Sequence, residues 1–162
     1  MADAAEPCIA HDFVSGKSDG ADTTQVRPSD WNACHAEPAK VLTIGIGCPS
    51  CAVLADSDDY SSIWLNDTER TLTITQVTCK PDTGGPTIQL QRDDGSAANM
   101  FASALTCNTT PSGTDGTDGI LTSFSGSENV LSPGHWLNLN IATAGGAAKQ
   151  ITVSIRMTVP AP

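Results

Sequence analysis

Aromatic side chains are scarce in this 162-residue chain, with three Trp, three Phe and one Tyr. A core made without them must rest on Leu, Ile and Val, and any aromatic left at a surface becomes a candidate contact. Basic residues are few as well: eight Lys and Arg face eighteen Asp and Glu, for a formal net charge of −10. Binding a phosphate backbone needs clustered cations, so no nucleic-acid partner is expected. No apolar run approaches the roughly 20 residues that a membrane-crossing helix needs, so no membrane insertion is expected. The opening stretch, MADAAEPCIAHD, has neither a basic region nor an apolar one, and no secretory signal is expected from it.

Catalytic patterns are missing too. His11, His35 and His135 suggest no triad with the many serines, and Phe124-Ser125-Gly126-Ser127 lacks the leading Gly of a nucleophile elbow. The glutamates are only four (Glu6, Glu37, Glu69 and Glu128), and paired carboxylates of glycosidase type would also need an enclosing cleft. The expectation is a non-enzyme with no cofactor and no metal.

What the chain does contain is alternation. Ile151, Val153, Ile155, Met157 and Val159 alternate with Thr152, Ser154, Arg156 and Thr158, and Leu137, Leu139 and Ile141 with Asn138, Asn140 and Ala142. Such a period of two marks strands with one dry and one wet face. Ile88 and Leu90 continue the pattern. Leu72 and Ile74 begin it, but Val77 and Cys79 fall on the other parity, so a β-bulge is predicted near Thr75–Gln76. Turn formers separate these runs, as in Pro81-Asp82-Thr83-Gly84-Gly85-Pro86 and Ser132-Pro133-Gly134. The predicted fold is all-β: a two-sheet antiparallel β-sandwich, jelly-roll-like with an immunoglobulin-like order as the alternative. Asn99–Leu105 is a candidate helical turn, and the Ser112–Gly119 stretch reads as a mobile loop. Three parts are expected: an irregular N-terminal docking arm (1–40), a strand with a Cys-Pro-Ser-Cys connector (41–59), and the sandwich (60–162).

The arm has little to bury. Between His11 and His35 the sizeable apolar groups are Phe13, Val14, Val26 and Trp31, set among Gly16, Gly20 and Pro28. Such a segment gains order by lying against something else, with Trp31 as anchor. Ser29 could cap a short helical turn to Cys34. The run Val26-Arg27-Pro28-Ser29-Asp30-Trp31-Asn32-Ala33-Cys34-His35 resembles the V-R-P-S-x-W-N-x-x-H segment near the N-terminus of many tailed-bacteriophage virion proteins, labelled tail-fibre or head-associated. Trp31, Asn32 and His35 keep that spacing, over about a sixth of the chain. Thr71–Val159 is similar in style to β-sandwich domains appended to such proteins, whereas the cysteines depart from the usual pattern.

Six cysteines, Cys8, Cys34, Cys48, Cys51, Cys79 and Cys107, are candidates for disulfides. Disulfides rarely persist in reducing cytosol, but a particle assembled there and released by lysis would let its thiols oxidise afterwards. Unpaired thiols, or a zinc site from Cys34, His35, Cys48 and Cys51, are the alternatives. A redox C-x-x-C would need a helix behind Cys48-Pro49-Ser50-Cys51, and none is predicted. Asp56/Asp58/Asp59, Asp93/Asp94 and Asp115/Asp118 invite a calcium reading, but none fits an EF-hand, and turn aspartates are the ordinary reading. Asn66-Asp67-Thr68 and Asn108-Thr109-Thr110 match the glycosylation sequon. Trp64 is expected inside the sandwich, whereas Tyr60 and Trp136 are candidate glycan platforms.

The resemblance implies a virion structural protein: a head decoration or cement protein, or a tail-fibre-type subunit. The arm residues Phe13, Val26, Arg27, Trp31, Asn32 and His35 would then attach it. Its partners would be itself, as a closed homo-oligomer such as a trimer, and other virion proteins. It would reside in the virion after assembly in a host cytoplasm. The runner-up is an extracellular carbohydrate-binding module that reads a host surface glycan.

Overall fold

The computed structural model describes residues 39–159, so the arm residues, Cys8, Cys34 and the turn at Ser29–Cys34 lie outside it. The described chain forms ten strands. They are β1 (Lys40–Gly47), β2 (Asp59–Leu65), β3 (Leu72–Pro81), β4 (Thr87–Asp93), β5 (Ala97–Asn99), β6 (Leu105–Thr106), β7 (Ile120–Leu121), β8 (Val130–Leu131), β9 (Trp136–Thr143) and β10 (Gln150–Thr158). No helix occurs among the described residues.

The strands pair in a nested way. β1 lies against β10, β2 against β9, β3 against β8 and β7, and β4 against β5 and β6, every pair antiparallel. β10 also pairs with β3, and β9 with β4. Sheet one therefore reads β1-β10-β3-β7 with β8 also on β3, and sheet two reads β2-β9-β4-β5 with β6 also on β4. One long antiparallel hairpin, wound so that successive strands alternate between two layers, produces this order. It is the jelly roll. An immunoglobulin-like order would keep more successive strands side by side.

The alternation predicted from the sequence forms the inner faces. Leu72, Ile74, Val77, Cys79, Ile151, Val153, Ile155 and Met157 of sheet one meet Ile88, Leu90, Leu137, Leu139 and Ile141 of sheet two in one buried cluster. Each such side chain contributes about 1.5–3 kcal/mol when fully buried, which compensates for the shortage of rings. The predicted bulge is present. Arg156 pairs with Gln76 and Met157 with Ile74, so Thr75 is skipped and both halves of β3 face the core.

Three expectations are corrected. The 41–59 segment is not a connector outside the sandwich. Eight consecutive pairs join Lys40–Gly47 to β10, and Leu42, Ile44 and Ile46 pack on the same core, so the sandwich begins at Lys40. The Asn99–Leu105 stretch is not helical, because the Gln89 side chain takes the ladder positions beside it. Gln89 Oε1 accepts from the Phe101 N–H and Gln89 Nε2 donates to the Phe101 carbonyl, each at 3.1 Å. Ser112–Gly119 is no free loop. Thr106 N donates to Gly116 O, Gly119 N to Thr106 O and Cys79 N to Gly119 O, which ties the segment to both sheets.

Two glycine turns interlock at one end. A Cβ at Gly145 (φ +61°) would run into the Gly85 carbonyl and Pro86 N, so only glycine permits this approach of the β9–β10 turn to the β3–β4 turn.

Candidate functional site

The outer face of sheet two carries the most organised polar surface. Its rows follow from register: Gln89 lies beside Asn140, Gln91 beside Asn138 and Asp93 beside Trp136. On the far side of β4, Gln91 lies beside Asn99. Because Leu137, Leu139 and Ile141 turn inward, Trp136, Asn138 and Asn140 must turn outward. Trp136 stands at the rim with 39% of its surface exposed.

Hydrogen bonds fix the groups behind the indole. Asn138 Oδ1 accepts the Ser62 N–H at 2.7 Å, and Asn138 Nδ2 donates to Asp93 Oδ2 at 3.1 Å. Asp93 Oδ1 accepts the Gly95 N–H at 2.9 Å, and Gln91 Nε2 donates to Asn99 Oδ1 at 2.8 Å. On this face β2 is bulged between Tyr60 and Trp64, with Ser62 in the left-handed region at φ 55°. That bulge delivers the Ser62 N–H to Asn138. A rigid apolar ring flanked by preset amides and a carboxylate is suited to stacking on a ring-shaped ligand and bonding its hydroxyls.

Tyr60 does not join Trp136. It pairs with Leu139, an inward position, and packs against the core, so the two candidate platforms lie on opposite faces of sheet two. Burial, followed by the neighbouring Asp58 carboxylate that accepts its hydroxyl, pushes the Tyr60 phenol above its ordinary value. Trp64 also packs on the core, as expected. The amide rows were present in the sequence as Gln89/Gln91 and Asn138/Asn140, where they signalled only a wet face.

The cysteines described form two disulfides, Cys48–Cys51 and Cys79–Cys107. The first closes the turn after β1, where Cys51 N also donates to Cys48 O at 2.9 Å. Bonded to each other, Cys48 and Cys51 offer no thiolate to zinc. The second is buried where the chain leaves β6 for sheet one.

The turn aspartates direct their oxygens at backbone N–H groups. Asp56 accepts from Ala144, Asp58 from Ala55, and Asp82 from Thr83, Lys149 and Gln150. Burial pushes the Asp82 carboxyl upward, but these backbone donors outweigh it and leave the group below its usual range. Hydrogen bonds from the Thr117 N–H and hydroxyl likewise hold Asp115 low. Among the described residues no three His, Cys, Asp or Glu side chains converge as a metal would require. Asp115 borders a shallow pocket of about 260 Å³ between Ala102–Ala104 and Gly116–Thr117. One ion-pair cluster sits at the sheet-two edge, where Arg92 lies 3.0 Å from Glu128 and 3.5 Å from Asp94.

The sequons are not equivalent. Asn66 is fully buried, whereas Asn108 lies in a surface turn and accepts the Thr110 N–H at 2.9 Å.

No family model matches the chain, and no curated protein matches it. Among solved structures it is similar to a chain of "Structure of infectious bursal disease virus Gx strain", with 15% identity and a TM-score of 0.22. That alignment covers 90% of this chain and 43% of the other, so this chain spans less than half of its length. At such a score the likeness carries no argument about fold or function.

Proposed function

We propose that this protein is a non-enzymatic virion structural subunit: a jelly-roll body attached to a bacteriophage particle through its N-terminal arm. The jelly roll serves viral shells and lectins alike, so the fold alone divides between two classes. The Val26–His35 segment carries the choice, through its resemblance to virion proteins. The site chemistry supports binding over catalysis, since the turn carboxylates are already engaged by backbone donors. A head decoration or cement protein suits a body of this size, and a tail-fibre-type subunit comes next. The closing test is removal of residues 1–38. The shortened chain is expected to keep its thermal midpoint, because both sheets and the core cluster described above are built from residues 40–159, and to lose concentration-dependent assembly in sedimentation. A shortened chain that assembles like the full one would overturn the reading.

A second reading has its own observation, the exposed Trp136 beside Asp93. A host-surface glycan would stack on the indole while Asn140 and Gln91 bond its hydroxyls. Trp136→Ala is then expected to weaken binding to a glycan array by roughly tenfold or more. It should change stability by only about 0.5 kcal/mol, being partly exposed. No binding by the parent chain to any glycan would dismiss this reading.

A further inference from the structure

A jelly roll leaves four sheet edges, and this chain blunts three of them. β7 and β8 have two residues each, β5 and β6 have three and two, and β2 is broken by its bulge at Ser62. Short or bulged edges resist pairing with another chain. β1 is different. Its eight residues, Lys-Val-Leu-Thr-Ile-Gly-Ile-Gly, keep unbroken register with β10, contain no proline, and among the described residues leave one side of the strand without a neighbour in sheet one. Val41 is 61% exposed on it, and the space above Gly45 is open.

Charge says what would cover this edge. On a chain of net charge −10, the strands of sheet one carry Lys40, Lys80 and Arg156 and not one Asp or Glu. Lys80 and Arg156 project from the outer face, which is otherwise Thr, Ser, Gln and Gly around Val41. Asp82, just past β3, is held by backbone N–H groups. The complementary segment is the arm. Residues 1–38 hold seven acidic residues against two basic ones and end beside β1. Within them Asp22-Thr23-Thr24-Gln25-Val26-Arg27 is rich in β-branched residues and free of Pro and Gly. Fully extended, 38 residues reach up to about 125 Å, ample to cross to another subunit.

We propose that β1 is the docking edge for the N-terminal arm of a second copy, whose residues 22–27 add to sheet one as a further strand beside Val41, with acidic neighbours near Lys40 on the edge and Arg156 on the next strand. Strand addition supplies affinity through main-chain hydrogen bonds, and the charges select the partner. The inference rests on the arm being the attachment element, as proposed above, and adds where it attaches.

The test uses full chains, one population labelled with 15N, mixed and treated with a carbodiimide that joins a contacting amine and carboxylate as an amide with loss of water. Mixed-isotope links from Lys40 to Asp19, Asp22 or Asp30 are the expected result. The double variant Lys40→Glu, Arg156→Glu should keep the parent's thermal midpoint and self-associate roughly tenfold more weakly in sedimentation. Links confined to chains of one isotope would overturn the exchange between copies. Undiminished assembly of the variant, with no coupling to Lys40, would overturn the β1 edge while leaving attachment through the arm standing. A full chain that stays monomeric at all concentrations would overturn the inference outright.

Discussion

Asn66→Ala should lower stability by about 2–4 kcal/mol, a fall of roughly 5–15 °C in thermal midpoint. Asn66 is completely buried and uses every polar atom it has. Its Nδ2 donates to the carbonyls of Arg70 and Leu131, each at 2.9 Å. Its Oδ1 accepts the Thr68 hydroxyl at 2.7 Å and the Thr68 N–H at 3.2 Å. Its own backbone bonds His135 and Gly134. One side chain thus ties the β2–β3 turn to β8 and to the turn before β9. Alanine removes both donors to carbonyls and leaves a void. Asn66→Asp separates the electrostatic part. A carboxylate there would face two carbonyl oxygens, so its folded pKa would rise above the unfolded value. Stability of that variant would therefore recover as pH falls through the raised pKa. Urea titrations at pH 7 and pH 5 read both effects; a midpoint within error of the parent for Asn66→Ala would refute the hub role.

That residue also shows where sequence reading stops. Asn66-Asp67-Thr68 looks like a modification site, and nothing local distinguishes a sequon from a buried hub. Its partner Leu131 is 65 residues away. The strands were legible for the opposite reason. Alternation is local, so Leu137-Leu139-Ile141 and Ile151-Val153-Ile155 declare their inner faces without their partners. Even the Thr75 bulge was legible, because a parity change inside one strand has few other causes. Asn99–Leu105 looked helical because its bonding partner is a side chain, Gln89, rather than a strand. Ser112–Gly119 looked loose because its donors and acceptors lie at Cys79 and Thr106. Tyr60 looked like a surface platform because the bulge in β2, which decides the facing of its residues, has no signal in Ser61-Ser62-Ile63. Membership of β1 in sheet one depends on β10, at the other end of the chain.

Replacing both Cys79 and Cys107 by alanine should cost about 3–4 kcal/mol, the larger share of it through the unfolded chain. The cysteines are 28 residues apart, and closing a loop of that size removes roughly 3–4 kcal/mol of unfolded-state entropy in the chain model. The bond also holds the passage between layers. Cys79 lies in β3 of sheet one, and Cys107 directly follows β6 of sheet two. Around it, Asn108 N donates to Cys79 O and Cys107 N to Pro86 O, so the strands would stay in register while the folded state lost its covalent advantage. With a urea slope of about 2 kcal/mol per molar, the midpoint should drop by roughly 1.5–2 M at unchanged slope. Cys48→Ala with Cys51→Ala provides the contrast. Those residues are three apart in an exposed turn, so the same entropy argument gives roughly 2 kcal/mol at most. If both double variants fell equally, the loop-length account would fail and the loss would instead be assigned to local packing. If only the first fell, the long loop between β3 and the end of β6 is what the covalent link restrains, and a body made in a reducing compartment would gain its final stability only on oxidation.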